Sequence, residues 1–170
     1  DAPTGPHGEA YMVSDMVADG IAVLDALGVE HAHVMGLSMG GMIVQNMAIL
    51  HPHRVLTMTS VMSSTGEPDY RKSTPRAAAL LTAPPATTRE GYVQDAVDGL
   101  REWGSPEFAD EARWRAAAEA AFDRSFHPGG STRQYLAILA SGSWADQLPH
   151  VTAPTLVIHG DADTLIDQIG

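Results

Sequence analysis

The sequence contains no cysteine, which removes disulfides, thiolate zinc centres and cysteine nucleophiles together and fits a reducing, cytoplasmic address. It contains no run of about 18 apolar residues, so no transmembrane helix is expected. Basic residues are scarce. Lys72 stands with nine arginines against 21 acidic residues, for a formal net charge of -11. Such a surface repels phosphate backbones and anionic lipid, which argues against nucleic-acid and membrane partners. What remains is ordinary globular composition, 44% hydrophobic and 18% charged over 170 residues. That length suffices for one domain that buries roughly 70% of its unfolded surface. The text opens at Asp1 without Met and stops in mid-pattern at Gly170, which reads as a piece of a longer protein.

Periodicity divides the chain. Residues 1-11 carry Pro and Gly without a period and read as a loop. A helix is expected from an N-cap at Ser14, with Met16, Val17, Ile21, Leu24 and Leu27 on its inner face and Gly28 past its end. Residues 32-37 read as a short strand, 40-50 as a buried helix stopped by Pro52, and 55-62 as a second strand. This alternation predicts an α/β fold, a parallel sheet flanked by helices. From Ser63 to Leu148 only helix signals appear. Thr74-Pro75 is a cap followed by proline. Thr87 with Glu90 reads as a capping box ahead of Val93, Ala96, Val97, Leu100 and Trp103. An Ala-rich helix is expected over 106-126, a turn at 127-131 and a short helix over 133-140. Thr155 to His159 then reads as an all-apolar buried strand. The division is therefore sheet core over 1-62, an all-helical insertion over 63-148, and a return to the core over 149-170.

Gly36-Leu37-Ser38-Met39-Gly40 is a G-x-S-x-G pattern followed by Gly41, and it falls between a predicted strand and a predicted helix. A serine on so tight a turn is expected to hold a strained backbone with its hydroxyl above the sheet. Glycines at 36, 40 and 41 remove side chains that would collide with the neighbouring strand and helix. The following helix aims its positive N-terminus at the site, which makes the Met39 N-H half of an expected oxyanion hole. Downstream, Asp161 and Asp163 both follow the carboxyl end of the 155-159 strand, on the same sheet edge as Ser38.

The run HVMGLSMGGMIVQNMAILHPHRVLTMTSVMSS (33-64) resembles the nucleophile elbow and next strand of the α/β-hydrolase superfamily. APTLVIHGDAD (153-163) resembles its strand leading to the catalytic acid, and the helical insertion resembles the cap of its capped members. GLSMGGMIVQ (36-45) is most similar to bacterial esterases of the aclacinomycin methylesterase type. The resemblance implies a serine hydrolase acting on carboxylic esters, with Ser38 as nucleophile, Met39 N-H at the oxyanion and Asp163 as the triad acid. Asp161 competes for that last role, and Thr164 stands where proline is common in the family. It implies no metal or organic cofactor and a small hydrophobic ester as partner, with the cap setting specificity. The oligomeric state is left open.

In that family the histidine base follows the acid, whereas all eight histidines here precede Asp163. The expectation is a base beyond Gly170, a second oxyanion donor upstream of Asp1, and very poor ester hydrolysis by these 170 residues alone. The same triad serves cofactor-free perhydrolases and C-C bond hydrolases, and a binding protein on this fold is a further alternative. The pairs His31/His33 and His51/His53 lack a nearby carboxylate cluster and do not read as a metal site. All eight methionines precede residue 63. Met35 and Met42 are expected in the core, with the lining of an acyl pocket as the alternative role. Trp103, Trp114 and Trp144 either roof the site or anchor the helical insertion.

Overall fold

In the computed structural model, which describes residues 8-68 and 72-168, helices and parallel strands alternate at the start of the chain. The order is α1 (Val13–Ala26), β1 (Ala32–Leu37), α2 (Met39–Leu50) and β2 (Val55–Val61), with a 3-10 turn over Pro52–Arg54 before β2. Helices follow: α3 (Pro75–Leu81), α4 (Arg89–Trp103), α5 (Glu111–Arg124) and α6 (Gly129–Ser141). A 3-10 segment over Ala145–His150 leads into β3 (Thr155–Ile158). The strands form one parallel sheet in the order β1-β2-β3. No described helix is long and apolar enough to cross a membrane. The loop expected over 1-11 lies outside the described residues as far as residue 7.

Parallel neighbours need crossovers, and α2 supplies the first one from a nearly all-apolar sequence. It packs on one face of β1 and β2, and α1 packs on α2. Val17, Val44, Met47, Ala48, Val55 and Met58 make the resulting core. A second cluster joins Val13 and Met42 to Trp144, which is 3% exposed. Trp144 Nε1 donates to Gln45 Oε1 at 2.7 Å, and Gln45 Nε2 donates to Ser60 Oγ at 2.9 Å. The segment after α6 is thereby pinned through α2 to β2. This tryptophan packs against α1 and α2 at the edge of the sheet core.

Several local expectations shift. The first helix begins two residues earlier than expected, with Met12 as N-cap in place of Ser14. Asp15 Oδ2, not Ser14, supplies the terminal hydrogen bond by accepting the Met12 N-H at 2.7 Å. Its other end follows expectation: Gly28 takes φ +67°. The Gly28 and Val29 amides bond back to the Asp25 and Leu24 carbonyls, which closes the helix. Leu27, expected inside, is exposed. Thr74 caps α3 as expected, whereas α4 is capped by Thr88, not Thr87, through the Gly91 amide. The 106-126 helix is split into a 3-10 turn over Pro106–Phe108 and α5, because Asp110 caps a fresh start through the Arg113 amide. The turn expected over 127-131 is shorter, and α6 begins at Gly129.

Helices α4 and α5 pair through Tyr92 and Phe122, with Phe126 just past α5, and the three rings lie 4.3–5.9 Å apart. Arg89 forks onto Asp123 with two 2.9 Å bonds. That guanidinium holds the Asp123 carboxyl below its usual range, and Arg101 does the same for Glu111. Asp110 thus caps α5, and Glu111 ties it to α4 through Arg101.

Two further expectations of burial are overturned. Met35 is 64% exposed, because odd-numbered positions of β1 face away from α2. β3 is exposed along its whole length, with Val157 at 68%. Among the described residues it is a terminal strand of the sheet, paired with β2 alone, so its apolar side chains are not enclosed.

Candidate active site

The strand register sets the site. Leu37 pairs with Val61 and Val61 with Ile158, so Ser38, Met62 and His159 stand side by side, one residue beyond the carboxyl edge of the sheet. The Ser38 N-H donates to the Val61 carbonyl at 2.9 Å and the Met62 N-H to the Ile158 carbonyl at 2.8 Å.

Ser38 lies at the N-cap position of α2 with φ 53° and ψ -119°, a conformation costly for a side-chain-bearing residue. A serine at an N-cap ordinarily turns its hydroxyl back to accept a first-turn amide. Ser38 makes no such bond. Its carbonyl does the backbone work, accepting the Gly41 and Met42 amides at 2.8 and 3.2 Å and the Ser63 hydroxyl at 2.8 Å. The Met39 N-H is the first of α2, among the amides a helix leaves without an intrahelical acceptor, at its positive end.

Two of the three expected glycine roles appear. A Cβ on Gly36 would run into the Gly40 carbonyl, and one on Gly41 into the Ser63 side chain. Gly40 differs, since nothing lies within 4 Å of a Cβ built there. The position is open, and no collision explains its glycine.

At the other end of the edge, Asp163 and His159 are nearly buried. Asp163 Oδ1 accepts the Leu165 and Ile166 amides at 2.8 and 2.9 Å. His159 Nε2 lies 2.9 Å from the Ile166 carbonyl and 3.4 Å from Asp163 Oδ2. A carbonyl only accepts, so Nε2 carries the proton. The carboxylate is thus held by its own loop and flanked by an imidazole. Asp161 is exposed in the preceding turn.

Ser63 and Met62 are not singled out by the sequence, and His159 is set aside there with the other histidines because it precedes Asp163. Met62 is the other side-chain-bearing residue with positive φ, at 42°, among the described residues. The H-x-x-x-D spacing of His159 and Asp163 was a visible signal, while Ser63 offered none. His31 and His33 spend Nδ1 on the His53 carbonyl and the Thr57 hydroxyl. No three metal-ligating side chains gather among the described residues.

The chain is 29% identical to rhodomycin D methylesterase DnrP of Streptomyces peucetius over 90% of its length, covering 58% of that protein. It is 30% identical to 2-hydroxymuconate semialdehyde hydrolase of Pseudomonas putida over 95% of its length, covering 56% of that protein. A hydrolase of known structure from Pseudomonas aeruginosa PA01 superposes with a TM-score of 0.68 at 27% identity, covering 99% of this chain and 60% of that one. The chain therefore spans less than two thirds of each of these relatives. The family model for the alpha/beta hydrolase fold matches residues 1–170, and the chain belongs to that family.

Proposed function

We propose that this chain carries the nucleophile and the acid of a serine hydrolase that cleaves carboxylic esters of small hydrophobic acyl or alkoxy groups. The carrying observation is Ser38: a serine in a left-handed backbone at a helix N-terminus, with its hydroxyl not spent on capping. Ser38 Oγ attacks the acyl carbon and loses its proton to an imidazole. The Met39 N-H stabilises the oxyanion. The imidazolium gives its proton to the departing alcohol, and water then releases the acyl group. Asp163 orients that imidazole and stabilises its charged form.

The base belongs to sequence following Asp163 in a protein of the relatives' full length. His159 is unsuited, since its Nε2 proton is engaged by Ile166 within the acid loop. Ser38 and the acid loop lie two strand spacings apart, about 10 Å, which leaves room for an imidazole between them. Residues 63-148 act as the cap that selects substrate. The 30% identity to a semialdehyde hydrolase favours C-C bond hydrolysis on the same residues as the second reading.

The test is fluorophosphonate labelling with peptide mapping, on the 170-residue chain and on the full-length protein. Labelling of Ser38 in the full-length protein alone is expected. Labelling in the 170-residue chain would place the base among its own histidines, and a folded full-length protein that takes no label would overturn the hydrolase reading. Product analysis on esters and on vinylogous diketones separates ester from C-C cleavage.

A further inference from the structure

We propose that Thr164 is a positioning residue whose hydroxyl latches the loop bearing Asp163 to the end of α4, so that the helical insertion helps to aim the acid. The proposal rests on the reading of Asp163 as triad acid. Asp163 Oδ1 is fixed by the Leu165 and Ile166 amides, so the carboxylate points where the 164-166 backbone lets it. That segment is tied to the insertion three times, twice through its backbone and once through a side chain. The Thr164 carbonyl accepts the Thr74 N-H at 2.8 Å. The Leu165 carbonyl accepts the Ser73 hydroxyl at 2.6 Å. The Thr164 hydroxyl donates to the Glu102 carbonyl at 2.9 Å.

Glu102 sits in the last turn of α4, where helix carbonyls lack intrahelical donors. Thr164 satisfies one of them from another part of the chain. The Glu102 carboxylate meets Arg76 of α3 at 2.9 Å and the Thr74 hydroxyl at 3.4 Å. Glu102 is thus the knot at which α3, α4 and the acid loop meet. Of the three ties, the Thr164 hydroxyl is the one supplied by a side chain of the acid loop itself. A proline or valine at 164 would lack it.

The experiment compares Thr164→Val and Thr164→Ser with the wild-type full-length protein. It reads kcat and KM on 4-nitrophenyl butyrate per labelled Ser38, and hydrogen exchange at the Leu165 and Ile166 amides. Thr164→Val is expected to lower kcat and to speed that exchange by about fivefold each, the weight of one neutral hydrogen bond. KM should hold and Thr164→Ser should restore both. Ser73→Ala, which removes the neighbouring tie, should shift both readouts in the same direction, and it stands in if Thr164→Val does not fold. Faster exchange with unchanged kcat overturns the positioning role, and unchanged exchange overturns the latch. If the wild type neither turns over the ester nor takes label, the hydrolase reading falls, while the exchange contrast still decides whether the latch exists.

Discussion

Ser38 concentrates the chemistry and a backbone cost in one residue. A side chain held at φ 53° costs of order 1–3 kcal/mol, and glycine relieves it at an entropic cost of roughly 0.5–1 kcal/mol. Ser38→Gly is therefore expected to stabilise the protein by about 1 kcal/mol, or a few degrees in Tm, while abolishing turnover. Gly36→Ala should do the reverse and cost about 2 kcal/mol or more, since the added methyl meets backbone that cannot rotate away. Thermal melts of both variants check the pair, and a Ser38→Gly protein that melts below wild type removes the strain. Ser38 and Gly36 were legible in the sequence because the demands on them arise within five residues of chain. Ser63 and Met62 were not. They reach the elbow from 24 or more positions away, and only strand pairing brings them there.

Among the elements, α2 carries both the site and the core, and the Trp144-Gln45-Ser60 chain ties it to its surroundings. Trp144→Phe keeps most of the apolar surface but strands the buried Gln45 oxygen, at a cost of about 1–3 kcal/mol. Adding Gln45→Leu should recover part of that loss, so a double-mutant cycle in urea is expected to show coupling, and additive losses would mean the bond contributes nothing. The sequence disclosed which elements exist and in what order, since 3.6 and 2 residue periods are local. Their ends were less legible. Thr87 and Thr88 are adjacent candidates, and the observed cap is the one whose hydroxyl reaches Gly91. Gly129-Gly130 reads as a turn by propensity, yet α6 starts there, docked by Ile138 on the Trp144 cluster. The ion pairs of Arg89 and Arg101 across α4 and α5 depend on helix packing that no residue period encodes.

At the scale of the whole molecule, the sheet has two open sides. β1 shows Met35 and Leu37, and β3 shows Leu156, Val157 and Ile158, all well exposed. Among the described residues each strand has β2 as its single neighbour, so each also presents a row of backbone groups without a strand partner, the arrangement that invites strand addition from another molecule. Opposing it is the formal charge of -11, which keeps identical chains apart while salt is low. The balance makes a directional prediction for the 170-residue chain. Light scattering should show association that rises with protein concentration and rises further between low salt and about 0.5 M, as the Debye length shrinks below about 5 Å. Val157→Glu, which places a charge on the β3 face, should suppress that association with little change in Tm, because the side chain it replaces is 68% exposed. Association that weakens with salt would instead mark ionic contacts between chains, and an unchanged Val157→Glu variant would clear β3 as the surface that pairs.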